Sequence, residues 1–180
     1  MTPEQTDRFF AHLDLVDAAE KTVDFFSEWQ LLLQRTTGTL QWTTSLRLGG
    51  TLGGGVSVRL ITPADVWERD VYGHIEVRSA ATFGRAIRIN PVEWRPRRPH
   101  HNPRYADEEH SLATYLDRWH PYAVNRRQAV AVFLQHQPGI AFPLPETITS
   151  FEAYLLFCSQ VWKCSDIKDV PPPPWSPQLV

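Results

Sequence analysis

Leu40-Gln-Trp-Thr-Thr-Ser-Leu-Arg-Leu48-Gly-Gly-Thr-Leu-Gly-Gly-Gly-Val56-Ser-Val-Arg-Leu60 is the stretch that decides the fold. Leu40, Trp42, Thr44, Leu46 and Leu48 alternate with Gln41, Thr43, Ser45 and Arg47, and Val56, Val58 and Leu60 resume the same period of two. Successive strand side chains point to opposite faces, so the pattern predicts a hairpin with one apolar face. The glycines of residues 49–55 lack the lysine followed by Ser or Thr of a phosphate loop, and they join two strands. They read as a hairpin tip.

Downstream, Val71, Gly73, Ile75 and Val77 alternate with Tyr72, His74, Glu76 and Arg78, which puts His74 on the polar, solvent face. Ile87 and Ile89 alternate with Arg88 and Asn90 until Pro91, which is expected to break the strand. Upstream, Thr2-Pro-Glu-Gln5 is a helix start with a capping box. Phe9, Leu13, Val16, Val23, Phe26 and Leu33 then recur at mostly helical spacing, predicting one long amphipathic helix, bent or divided near Glu20, that ends at Gly38. A short helix is expected over residues 107–119; residues 125–137 fit either a helix ended by Pro138-Gly139, the favoured reading, or a strand over Val130-Ala-Val-Phe-Leu134. A last helix starts at a Thr149/Glu152 capping box and turns Phe151, Leu155, Cys158 and Trp162 inward.

The predicted fold is therefore α+β: a long N-terminal helix packed on a four-stranded antiparallel sheet, followed by short helices and a Pro-rich tail. Residues 1–170 form a single domain and residues 171–180 the tail. Pro171-Pro-Pro-Pro-Trp175 is a stiff strip with an aromatic anchor, which either lies on its own domain or binds a protein partner through Trp175.

With 180 residues and 42% hydrophobic content the chain can bury a core. No run approaches the roughly 20 apolar residues of a membrane span, and the N-terminus has no signal-like pattern, so a cytoplasmic protein without membrane contact is expected. Cys158 and Cys164 suit neither a zinc site nor an obvious disulfide and read as packing thiols. The net charge of −2 hides segregation. Residues 1–30 hold seven acids and two bases, while residues 77–104 hold seven arginines and the single acid Glu93. Arginine forks suit phosphate and carboxylate, so the basic stretch predicts a surface for RNA or another polyanion; the competing reading pairs these arginines with the acidic first helix.

Chemistry concentrates just after that stretch. Four of the seven histidines, His100, His101, His110 and His120, lie between positions 100 and 120. Metal-independent RNA cleavage needs one imidazole to take the 2′-hydroxyl proton, another to protonate the leaving oxygen, and cations on the phosphate. His101 and His110 are the candidate catalytic pair, with Arg95, Arg97, Arg98, His100 and Arg104 as the anion-binding set. These histidines with Asp107 include metal-ligand types, but no familiar ligand spacing occurs, so neither a metal nor a cofactor is expected. The plain alternative is that Pro99 to Pro103 forms a rigid turn whose imidazoles bond to backbone, with His110 facing solvent.

Val92-Glu-Trp94 followed by Arg98-Pro-His-His101 and then His110 resembles the Trp, Pro-His-His and later histidine cluster of TumE-type toxins and related small histidine-motif proteins of mobile elements. His100 to Pro103 and Phe157-Cys158 extend the likeness. The second histidine cluster is reduced to His110 and His120, and the aspartate expected after the tryptophan is missing. The resemblance implies a defence or mobile-element setting and an RNA target. The leading expectation is thus an RNA-directed protein, a toxin-like ribonuclease. The alternative is a non-enzymatic interaction subunit that holds an anionic partner through the Arg/His loop and a protein through the tail.

Overall fold

Both the helix start at Thr2 and the hairpin of residues 40–60 form in the computed structural model, which describes residues 1–34, 37–66, 68–104, 111–135 and 139–175. Helix α1 spans Pro3–Ala18. Thr2 Oγ1 accepts the Gln5 N–H and the Gln5 side chain accepts the Thr2 N–H, closing the capping box. The helix ends at Ala18 instead of Gly38, because Ala19 turns extended and the chain enters strands β1 (Lys21–Val23) and β2 (Gln30–Gln34). Val23, Phe26 and Leu33 continue the helical spacing, but strand pairing overrides it: Val23 lies opposite Leu46 and Leu33 opposite Gly38.

Strands β3 (Thr37–Leu48) and β4 (Thr51–Pro63) are the predicted hairpin, turned by Gly49 and Gly50 at positive φ. Gly55 sits at φ +84°, and a Cβ there would fall 1.8 Å from the Arg78 carbonyl, so only glycine fits. Strands β5 (Val71–Val77) and β6 (Ile87–Trp94) follow, and then the short β7 (His100–His101), β8 (Thr114–Tyr115) and β9 (Arg118–Trp119). Helices α2 (Tyr122–Asn125) and α3 (Val130–Leu134), strand β10 (Phe142–Pro143) and helix α4 (Phe151–Val161) complete the chain of elements.

The fold is α+β, and its sheet is larger than the four strands read from the sequence. Eight strands run in the order β1-β3-β4-β5-β6-β9-β10, with β2 also on β3, while β7 and β8 form a separate ribbon. Pro91 does not end β6. It sits where the β5–β6 register shifts, beside Asn90 at φ +48°, and its carbonyl accepts the His120 N–H. The bulge absorbs the missing donor of proline. The helix expected over residues 107–119 is absent from its described part: residues 111–112 turn, and β8 and β9 follow. Residues 105–110 lie outside the described residues.

Register divides the sheet into two faces. Trp42, Leu60, Gly73 and Val92 share one, which α4 covers: the Tyr154 hydroxyl donates to Val92 O and Trp162 Nε1 donates to Asn90 O. Phe151, Leu155, Cys158 and Trp162 are buried as their spacing predicts, with Ser150 rather than Thr149 as the cap. Both cysteines are free and buried, and burial pushes both thiols up. Helix α1 adds Phe9, Leu13 and Val16 to this core and is tied down by Asp17 accepting from Asn90 and Asp14 from Tyr122. Trp175 is 6% exposed, edge-on to Phe151, with Nε1 donating to Thr62 Oγ1. No helix among the described residues is long and apolar enough to cross a membrane.

Candidate functional site

On the other face, Tyr72 of β5 lies directly opposite Glu93 of β6, and Glu93 opposite Arg118 of β9. Together with Arg88, His120, Gln128 and Phe133 they line a cavity of about 320 Å³. That is a size that takes a small organic ligand. Its lining mixes these polar groups with the apolar Phe133, Val132 and Ile89.

Glu93 is the anchor of the polar groups. Arg118 grips its carboxylate with two hydrogen bonds, Nε to Oε1 at 3.1 Å and Nη2 to Oε2 at 2.5 Å. The remaining Arg118 nitrogen donates to the Arg98 and Leu116 carbonyls, so this guanidinium is fully occupied. His120 Nε2 stands 3.5 Å from Glu93 Oε1 without hydrogen-bond alignment, and neither of its ring nitrogens makes a hydrogen bond among the described residues although the residue is 4% exposed. Burial alone would raise Glu93, but the neighbouring His120 and Arg118 outweigh it and hold the carboxyl below its ordinary range.

His100 meets His120 edge-on, ring centres 4.9 Å apart. Its Nε2 bonds to the Gly139 carbonyl at 2.9 Å, and since a carbonyl only accepts, the proton sits on Nε2 and Nδ1 keeps a free lone pair. Burial, then the neighbouring His120, lower its pKa to about 4, so it is neutral near pH 7. Burial pushes the Tyr72 phenol up, so it keeps its proton. Arg88 lies 5.8 Å from the Tyr72 ring centre and has no carboxylate partner among the described residues. It is the available cation of the cavity.

The expected site residues fall in different places. Strand alternation in β7 separates the two adjacent histidines: His100 is half-buried beside the cavity, while His101 is exposed and meets Thr114 Oγ1 through Nδ1 at 2.8 Å. His110 lies outside the described residues, so the His101–His110 geometry does too. Arg95 is held by Glu68 at 3.2 Å and lies 4.4 Å over the Trp94 ring, and Arg97 pairs with Asp70 at 3.0 Å. Arg98 and Arg104 have no carboxylate partner among the described residues. The acidic first helix takes Arg126, through Asp14, and none of these four.

His74, read as a solvent-facing residue, is fully buried, because β5 is a central strand and Tyr72, Arg59 and Glu76 close over it. Glu93, Arg118, Tyr72 and Arg88 were not singled out by the sequence, and His120 entered only as a metal-ligand type. The sole signal for Glu93 is its being the one acid in a run of seven arginines. No three His, Cys, Asp or Glu side chains among the described residues are grouped to hold a metal ion. No protein-family model, curated protein or solved structure matches the chain, so the geometry itself carries the functional reading.

Proposed function

We propose that this is an RNA-directed protein, a toxin-type ribonuclease that works by acid–base chemistry in the polar-face cavity. The observation that carries the reading is His120: a buried imidazole among the residues lining the cavity, with Nε2 3.5 Å from the Glu93 carboxylate and neither ring nitrogen in an aligned hydrogen bond among the described residues. A buried polar group left without a partner is costly, roughly 1–3 kcal/mol, and persists where a ligand completes it.

In this reading His120 takes the proton of the ribose 2′-hydroxyl, and Glu93 offsets the charge of the imidazolium that forms. The freed oxygen bonds to phosphorus, the bond to the 5′-oxygen breaks, and that oxygen takes a proton from the Tyr72 phenol. The products are a 2′,3′-cyclic phosphate and a 5′-hydroxyl. Arg88 holds the phosphate, and neutral His100 positions the ribose through its free Nδ1. Arg98 and Arg104, with the exposed His101, extend a track for the flanking backbone, and His110, outside the described residues, stays a candidate catalytic residue. The likeness of Trp94 and Pro99-His100-His101 to TumE-type toxins supports the same target and a mobile-element setting. The interaction-subunit alternative requires Trp175 to leave Phe151 and Thr62.

Single-stranded RNA should bind with an affinity that falls steeply as salt rises, because bound phosphates release counterions. Arg88→Ala should weaken binding about tenfold, the loss of one charged hydrogen-bonding partner. Incubated RNA should end in a 2′,3′-cyclic phosphate, with the 2′-deoxy strand uncut. Salt-independent association, or equal cutting of both strands, overturns the proposal.

A further inference from the structure

The sheet protects its edges unequally. Strand β10 offers two residues, one of them Pro143, and β1 offers three, with Lys21 bridged to Cys164. Strand β2 is different: Gln30-Leu-Leu-Leu-Gln34 carries no charge and no proline, pairs with β3 on one side, and has no strand on the other among the described residues. Every second residue of an antiparallel edge turns its N–H and C=O outward, unbonded. Leu31, Leu32 and Leu33 are 54%, 37% and 79% exposed. A long apolar edge without a charge, proline or cover is a template for another strand, and proteins normally blunt such edges.

The sequence of β2 says which strand fits. It reads the same in both directions, so an antiparallel pairing of two copies about a two-fold axis sets Gln30 opposite Gln34, Leu31 opposite Leu33, and Leu32 opposite itself. Each leucine then meets a leucine, and no charge faces a like charge. Both copies present the same free hydrogen-bonding edge, as an isologous contact requires. We infer that this chain forms a two-fold dimer by β2–β2 pairing, which joins the two sheets into one.

Sedimentation and light scattering of the full chain should give a dimer in concentration-dependent equilibrium with monomer. Leu32→Lys places two ammonium groups against each other on the axis and removes two buried leucines, so dimer dissociation should rise roughly a hundredfold, with the circular dichroism unchanged. Leu32→Cys reads the register, since paired strands bring Cα atoms to disulfide distance and the native Cys158 and Cys164 are buried. On oxidation it should give a covalent dimer. A wild-type chain that stays monomeric overturns the inference, as does a dimer that Leu32→Lys leaves intact or that Leu32→Cys fails to cross-link.

Discussion

Across β3 to β6, Trp42, Leu60, Gly73 and Val92 share one face, while Thr43, Arg59 and His74 share the other. The first face is filled by Trp94, Tyr154 and Trp162, and each of these has a backbone acceptor for its polar hydrogen. The second is mostly half-buried, and there Thr43 Oγ1, Arg59 Nε, both nitrogens of His74 and both of His120 are buried without a hydrogen bond among the described residues. Packing and satisfied polar groups mark a face that holds the fold together. Of these groups only His120 lines the cavity, and an unsatisfied group there marks a place kept for a ligand, since it lowers stability without helping packing.

Attacking the apolar face should do the most damage. Trp162→Ala opens a cavity against Gly73 and strips the donor from Asn90 O, so it should cost about 3–5 kcal/mol in denaturant unfolding. A loss below about 1 kcal/mol would mean that α4 is not what secures this face. On the polar face, Glu93→Gln breaks the two-bond grip of Arg118 and leaves that guanidinium buried without its carboxylate, so it should cost about 3 kcal/mol. A neutral outcome there would remove Glu93 as the anchor of the site.

Acid sharpens the contrast further. Burial lowers His74 and His100 from 6.5 to about 4, so the unfolded chain binds these protons more readily than the folded one. Their contribution is present above about pH 6.5 and is lost as pH falls through 4. For fully buried His74 that is about 3 kcal/mol, and for half-buried His100 less. Melting temperature should fall over that window, and His74→Gln should flatten the slope. An unchanged slope would place the acid sensitivity elsewhere.

The elements legible in the sequence are those whose evidence is local. The β3–β4 hairpin follows from alternation over residues 40–60, and α4 from Phe151, Leu155, Cys158 and Trp162 on one stripe. The end of α1 was hidden because Val23, Phe26 and Leu33 keep a helical spacing while pairing, or leading into pairing, with β3. The site was harder still. Glu93 meets Arg118 and His120 from 25 and 27 residues away across β6 and β9, a contact that no periodicity announces. The histidine pair was visible as chemistry, but only the two-residue strand β7 decides that His100 turns in against His120 and His101 faces out.

The smallest expected effect on stability belongs to the residue with the largest expected effect on function. Because His120 makes no aligned hydrogen bond among the described residues and meets Glu93 only at 3.5 Å, His120→Gln should change unfolding free energy by less than about 1 kcal/mol. The same variant should still bind single-stranded RNA while single-turnover cleavage to the 2′,3′-cyclic phosphate falls by at least about a hundredfold, the scale of a lost general base. If cleavage by His120→Gln matches that of the wild-type chain, the polar face is not the catalytic face and the account fails.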